Sequence, residues 1–233
     1  MAQRPIRMVN YKGDMVPVSR FLELERARLK DEVDLFNNGF GTLDYSLSSL
    51  LHAILGASIR DRIPYAVYYS VTSFDARVTM VENALIEAIT QNDKLKPLMA
   101  ATHWPYLSEK LRTIRNLRNG LAHGSLQNME IRDKVYVRWV APASDVIRIG
   151  RVLARRQIPG LTAEDVARGK RLVWPIIDCV NDLNLLLRAS RREKTAWQER
   201  FDGLEEHLQA VRNLYSDAQR KSGPKAPPES SEE

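Results

Sequence analysis

SEKLRTIRNLRNGLAHG, residues Ser108 to Gly124, sets how the whole chain is read. Side chains four apart share a helix face, so Arg115, Asn119 and His123 form one polar stripe, which Arg112 extends from three residues before Arg115. Arg118 stands about 140° round the helix from His123, at roughly 100° per residue, and reaches the neighbourhood of the imidazole by its long stem. Leu111, Ile114, Leu117 and Leu121 recur at spacings of three, three and four, the mark of a core-facing edge. The stretch therefore predicts an amphipathic helix with one apolar flank and one flank of guanidinium groups and an imidazole.

Guanidinium groups grip phosphate oxygens in a bidentate fork and stay charged throughout the cellular pH range. Histidine carries a proton near neutrality. With an amide to orient the imidazole or a ribose hydroxyl, the set supplies charge neutralisation and acid or base assistance, which is what phosphodiester transfer needs, without a metal. The same residues also read as a solvated face, with His123 set favourably against the helix dipole and Gly124 as the stop.

The run Arg118-Asn119-Gly120-Leu121-Ala122-His123 resembles the signature of the HEPN superfamily, an arginine and a polar residue followed, after a short interval, by a histidine. FDARVTMVENALIEAI, Phe74 to Ile89, is similar in character to the helix that precedes the signature helix in many bacterial members. The resemblance extends over Leu43 to Ser190 and is sharp only at the signature. It implies a helical bundle that often dimerises, so that two signatures face one cleft. In active members the cleft is a metal-independent endoribonuclease that cuts through attack of the ribose 2′-hydroxyl, and many are toxins or antiphage effectors. Other members have lost catalysis and only bind nucleic acid or protein partners. By this resemblance Arg118 steadies the scissile phosphate, His123 acts as acid or base, and Asn119 orients His123 or the ribose. Arg112 and Arg115 add phosphate affinity. The expected partners are RNA, a second copy of the chain, and an antitoxin or other protein. No cofactor and no metal are called for.

Bulk composition fits that class. The chain has 233 residues, 44% of them hydrophobic, enough to bury a sizeable core. Its 35 basic against 29 acidic residues leave a net charge of +6, and the isoelectric point near 9.5 favours polyanionic partners. A single cysteine, Cys179 in an apolar run, excludes an intrachain disulfide and reads as a packed core thiol. Four scattered histidines give no zinc or iron–sulfur spacing, and no Gly-rich phosphate loop or dinucleotide fingerprint is present. The N-terminus lacks the apolar core of a signal peptide and no stretch approaches a membrane span, so a cytoplasmic protein with no membrane partner is expected.

Outward from the central helix, periodicity places the other elements. Residues 1–18 read as an N-terminal extension and 19–192 as the bundle. A first helix runs from Ser19 to Phe36 and stops at Asn37-Asn38-Gly39; a second begins after Thr42 and stops before Pro64, with His52 as a surface or satisfied core histidine. A third extends from Pro64 to about Gln91 with Val67, Val71, Phe74, Val78, Val81, Leu85 and Ile89 as its stripe, and with Asp75, Arg77 and Glu82 off that stripe. A linker spans Pro97 to Pro105, in which Trp104 either stacks on a base or covers the end of the bundle. Alternation over Met129 to Val140 predicts a small β-hairpin turning at Arg132-Asp133-Lys134. Asp145 to Arg156 carries a basic cluster in which Arg148 and Arg151 are candidate RNA-backbone contacts beside Arg155 and Arg156. Thr162, with Asp165 three later, opens a helix through Pro175 to Leu187. Residues 193–220 form a long amphipathic helix on Trp197, Phe201, Leu204, Leu208, Val211 and Tyr215, which needs docking on its own bundle or on a partner, and 221–233 form a disordered tail. The expected fold is thus mostly α: a HEPN-like helical bundle with a small hairpin insertion near 129–140 and a long C-terminal helix.

Overall fold

The computed structural model describes residues 7–57, 60–131, 133–140, 160–189 and 194–222. Its spine is α1, Val18–Ile54, a single helix of 37 residues, about 55 Å long at roughly 1.5 Å per residue. Two helices were expected here, parted at Asn37-Asn38-Gly39. The chain continues because the apolar stripe passes straight through: Leu29, Val33, Phe36, Phe40, Leu43, Leu47, Leu50 and Ile54 alternate spacings of four and three. Interior glycine costs a helix about 1 kcal/mol, whereas each large apolar side chain buried returns roughly 1.5–3 kcal/mol. Gly39 faces Val173, whose Cγ1 would stand 3.4 Å from a Cβ there, an ordinary contact.

Val173 belongs to α5, Ala163–Ala189, the element on which α1 packs most extensively. Gly169, one turn earlier on α5, leaves no room for a Cβ beside Leu117 and would bring one to 3.7 Å from Phe36 Cε2. Gly169 thus makes room for Leu117 of the helix that carries the arginines, beside the α1 crossing. Thr162 and Asp165 close the start of α5 as expected: Thr162 Oγ1 accepts from the Asp165 backbone N–H at 3.0 Å, and Asp165 Oδ2 accepts from the Thr162 backbone N–H at 2.9 Å. Val173, Ile177, Val180 and Leu187 are all buried.

The expected third helix is two. α2, Ile63–Ser70, ends before Val71, and α3, Phe74–Gln91, starts anew with Ser73 as N-cap, its hydroxyl accepting from Ala76 N–H at 3.5 Å. Arg77 Nε donates to the Val71 carbonyl at 2.7 Å, satisfying an acceptor the break leaves over. The register changes with it: Tyr68 is buried and Val67 is 48% exposed. Val78, Val81 and Leu85 keep their predicted core positions.

A 3₁₀ segment, Asp93–Met99, leads into α4, Trp104–Ala122. The linker is therefore shorter than expected, with Pro105 inside the first turn and Trp104 fully buried, so this indole covers the end of the bundle. Leu107, Leu111, Ile114 and Leu121 face the core. α6, Lys194–Ser222, docks on α5 within the same chain. Leu204, Leu208 and Val211 are buried, and Phe201 lies between the Trp197 ring at 5.1 Å and the His103 ring at 5.3 Å.

Two hairpins complete the architecture. β1, Met8–Tyr11, pairs antiparallel with β2, Asp14–Pro17, through Lys12 and Gly13 at φ of 53° and 100°, the left-handed pair a two-residue turn requires. This hairpin occupies what the sequence suggested was only an extension. β3, Ser125–Ile131, pairs with β4, Lys134–Val140, from Ser125↔Val140 to Ile131↔Lys134, so the predicted hairpin begins four residues earlier than expected. Arg7 of the N-terminal hairpin forms an ion pair with Glu130 of β3. The molecule is mostly helical with a small hairpin and a long C-terminal helix. The segment with Arg148 and Arg151 and the expected tail beyond Ser222 lie outside the described residues.

Candidate functional site

Where α1, the α2–α3 junction and α4 meet, they enclose an open cleft of about 760 Å³. α4 contributes Arg115, Arg118 and Asn119; α3 and its cap contribute Ser73, Phe74, Asp75 and Arg77; α1 contributes Phe40, Gly41 and Asp44. The break between α2 and α3 matters here. By turning the chain at Thr72 and Ser73 it brings the first turn of α3 against the arginine face of α4.

Each guanidinium has a distinct state. Arg77 sits on the floor, with Nη1 2.6 Å from Asp44 Oδ2 and both side chains largely buried. Tyr68 donates its hydroxyl to the other Asp44 oxygen at 2.8 Å. Burial first, and the Asp44 charge second, push the Tyr68 phenol well above its ordinary range, so it remains a neutral donor. Arg115 is held by an ion pair to Asp75 and by two hydrogen bonds to Asn116 Oδ1, at 3.2 Å from Nε and 2.7 Å from Nη2. Arg118 is exposed; its guanidinium lies 5.7 Å from the Phe40 ring centroid, and Nη1 donates to Asn119 Oδ1 at 3.4 Å. Among the described residues lining the cleft, Arg118 is thus the guanidinium without a carboxylate partner, the one most open to an incoming anion. Arg112 pairs with Glu82 at 3.3 Å and stands apart from the lining.

His123 is the C-cap of α4, and its backbone N–H donates to Asn119 O at 3.1 Å. Its side chain is exposed, and among the described residues none hydrogen-bonds the ring. It follows Asn119 by one helical turn but is not part of the cleft lining. The end of the helix is held from outside: Trp139 Nε1 donates to the Leu121 carbonyl at 3.0 Å, and Gly124 packs so closely on that indole that a Cβ would have no room. Trp139 is in turn fixed by paired backbone hydrogen bonds to Leu161, both 2.9 Å.

The other histidines serve structure. His52 is buried with Nε2 2.9 Å from the Asp61 carbonyl oxygen; His207 Nδ1 lies 2.5 Å from Asp182 Oδ2 on the α5–α6 contact; His103 is buried against Phe201, and desolvation makes it harder to protonate. Cys179 is buried, and burial pushes its thiol up to about 12, the state of a core thiol. Among the described residues no three of His, Cys, Asp and Glu cluster as metal ligands, and no described helix is long and apolar enough to cross a membrane.

The structure thus brings Arg115, Arg118 and Asn119 into one cleft and leaves His123, one turn beyond Asn119, and Arg112 outside its lining. Asp75 and Arg77, which the periodicity set off the apolar stripe, line the cleft, and Asp75 anchors Arg115. Asp44, Phe40 and Tyr68 escaped sequence reading; the only signal was that Asp44 and Arg77 each adjoin a stripe residue, Leu43 and Val78, where a charge is poorly placed unless it is paired. Compared with protein-family models, curated proteins and solved structures, the chain matches none.

Proposed function

We propose that this chain is a metal-independent endoribonuclease of HEPN type, acting as a toxin or antiphage effector. The observation that carries the proposal is the convergence of Arg115, Arg118 and Asn119 on one cleft, with His123 one turn further along the same helix. In the proposed reaction the ribose 2′-oxygen attacks phosphorus, a 2′,3′-cyclic phosphate forms, and the 5′-oxygen leaves after taking up a proton. Arg118 neutralises the non-bridging oxygens as their charge grows. His123 removes the 2′-hydroxyl proton or delivers one to the leaving oxygen. Arg115 joins the phosphate when an anion competes with Asp75. A second copy of the chain, facing the first, supplies the complementary acid or base, which accords with His123 lying outside the cleft lining.

A second class of function has its own support. The His123 ring has no orienting partner among the described residues, and Arg115 is already engaged by Asp75; both features suit a catalytically silent module that binds RNA or a protein through the same face.

Incubating purified wild-type and His123→Ala protein with mixed RNA in EDTA, and testing the fragment ends, separates the two. The nuclease proposal expects cleavage by wild type alone, with 2′,3′-cyclic phosphate ends. RNA bound by both proteins and cut by neither would replace it with the binding module.

A further inference from the structure

Alongside the cleft runs a row of tyrosines that the proposed chemistry does not use. Asn37 and Gly41 of α1 line the cleft, and Tyr45 occupies the next turn of the same face, 58% exposed. Its ring stacks on Tyr65 of α2, with centroids 6.3 Å apart and planes 13° off parallel. Tyr69 follows Tyr65 by one turn and is 45% exposed. The Arg77 guanidinium, itself part of the cleft lining, lies 5.2 Å from the Tyr69 ring centroid. Arg62, the N-cap of α2, shares the Tyr69 face two turns earlier and is exposed.

The fold leaves both Tyr45 and Tyr69 open to solvent among the described residues. Cations flank them along one edge: Arg118 at the cleft, where Arg77 is already paired with Asp44, and Arg62 at the far end of the row. A single strand alternates the same two chemistries, phosphate and unpaired base, while a duplex hides its ring faces within the stack. Charge complementarity thus selects a polyanion, and the open rings select one with free bases.

We infer that Tyr69 and the Tyr45–Tyr65 pair form a stacking platform for unpaired bases next to the phosphate grip of Arg118, so that the substrate is single-stranded RNA. The inference rests on the RNA reading of the cleft and deepens it by naming the substrate class.

The test is fluorescence anisotropy with a labelled oligouridylate single strand and with an RNA duplex of equal length, over a salt series. The proteins compared are wild type, Tyr69→Ala, Tyr45→Ala, Tyr69→Phe and Arg118→Ala. All three replaced side chains are exposed, so folding is retained. Each alanine replacement of a tyrosine is expected to weaken single-strand binding roughly tenfold without changing the salt slope, because stacking is not ionic. Tyr69→Phe, which keeps the ring face, is expected to bind as wild type does. Arg118→Ala is expected to lower the logarithmic salt slope by about 0.7, the share of one phosphate contact on a single strand. Tyrosine variants that bind as wild type while Arg118→Ala does not would overturn the platform and leave the cleft reading intact. Equal affinity for the duplex, insensitive to the tyrosines, would do the same. No RNA binding by wild type would overturn both. A Tyr69→Ala protein that passes from dimer to monomer in sedimentation would make the row a self-association surface and overturn base stacking.

Discussion

The crossing of α1 over α5 and the break between α2 and α3 differ in what small residues accomplish. At the crossing, Asn37-Asn38-Gly39 has the composition of a stop, yet the helix runs on, because the apolar stripe through Phe36 and Phe40 packs against α5. At the break, Val71-Thr72-Ser73 sits inside an unbroken heptad pattern, yet the helix ends, because Ser73 caps a new one and Arg77 takes the surplus Val71 carbonyl. Burial decides the first, and satisfaction of backbone polar groups decides the second. The first region makes the scaffold; the second opens the cleft.

The strongest way to break the scaffold side is Phe36→Ala, at a fully buried ring in the crossing. It should cost about 3–5 kcal/mol in urea denaturation. Two glycines of the same scaffold sharpen the comparison, because they should move stability in opposite directions. Gly169→Leu overpacks against Leu117 and Phe36 and should cost about 1–3 kcal/mol. Gly41→Ala, whose Cβ meets nothing within 4 Å, should add about 0.5–1 kcal/mol through helix propensity. If Gly41→Ala destabilised as Gly169→Leu does, tight approach would extend into the cleft wall.

On the cleft side, the Tyr68 phenol is raised above its ordinary value in the folded chain. The folded state therefore holds a proton that the unfolded state releases first. The stabilisation is complete below the unfolded value of about 10 and fades as pH rises beyond it. Tyr68→Phe should flatten the alkaline fall in stability relative to wild type, by at most about 1.4 kcal/mol per pH unit for the single proton involved; an unchanged slope would mean that the phenol is not held away from water beside Asp44. Ser73→Ala removes the cap and should cost about 1 kcal/mol. Because Ser73 lines the cleft and Phe36 does not, the cap variant should also change the RNA binding proposed for the cleft while still folded, measured as the anisotropy shift of a labelled single strand.

Much of the scaffold was legible because apolar stripes report burial directly: Leu111 and Ile114 on α4, Val173 and Ile177 on α5, and Leu204 and Leu208 on α6 all face the core where their spacing put them. The capping pair Thr162–Asp165 was legible because its chemistry is local. The continuity of α1 was not, since it depends on packing against a helix far along the chain, and the break between α2 and α3 was not, since it turns on how the Ser73 hydroxyl and the Arg77 side chain satisfy freed backbone groups. In the site, the residues on one helix could be grouped from spacing alone, and Arg115, Arg118 and Asn119 do share the cleft. Sequence could not show that Asp75 and Glu82 would engage Arg115 and Arg112, nor that Asp44 and Tyr68 would lie beneath. Those pairings arise only when three helices meet.

The long reach of the α1–α5 contact also bears on the order in which the molecule is made. Phe36 and Gly39 are translated early, while Val173 and Gly169, which cover them, come more than a hundred residues later. A growing chain that has not yet passed Ala163 has its arginine helix complete but lacks the surface that holds α1 straight beside it. Contacts this distant in sequence form late, after the loop-closure entropy between them has been overcome. The cleft wall carrying Phe40, Gly41 and Asp44 is therefore set in place only after the helix Ala163–Ala189 has been made, so the arginines of α4 wait for their opposite wall during synthesis.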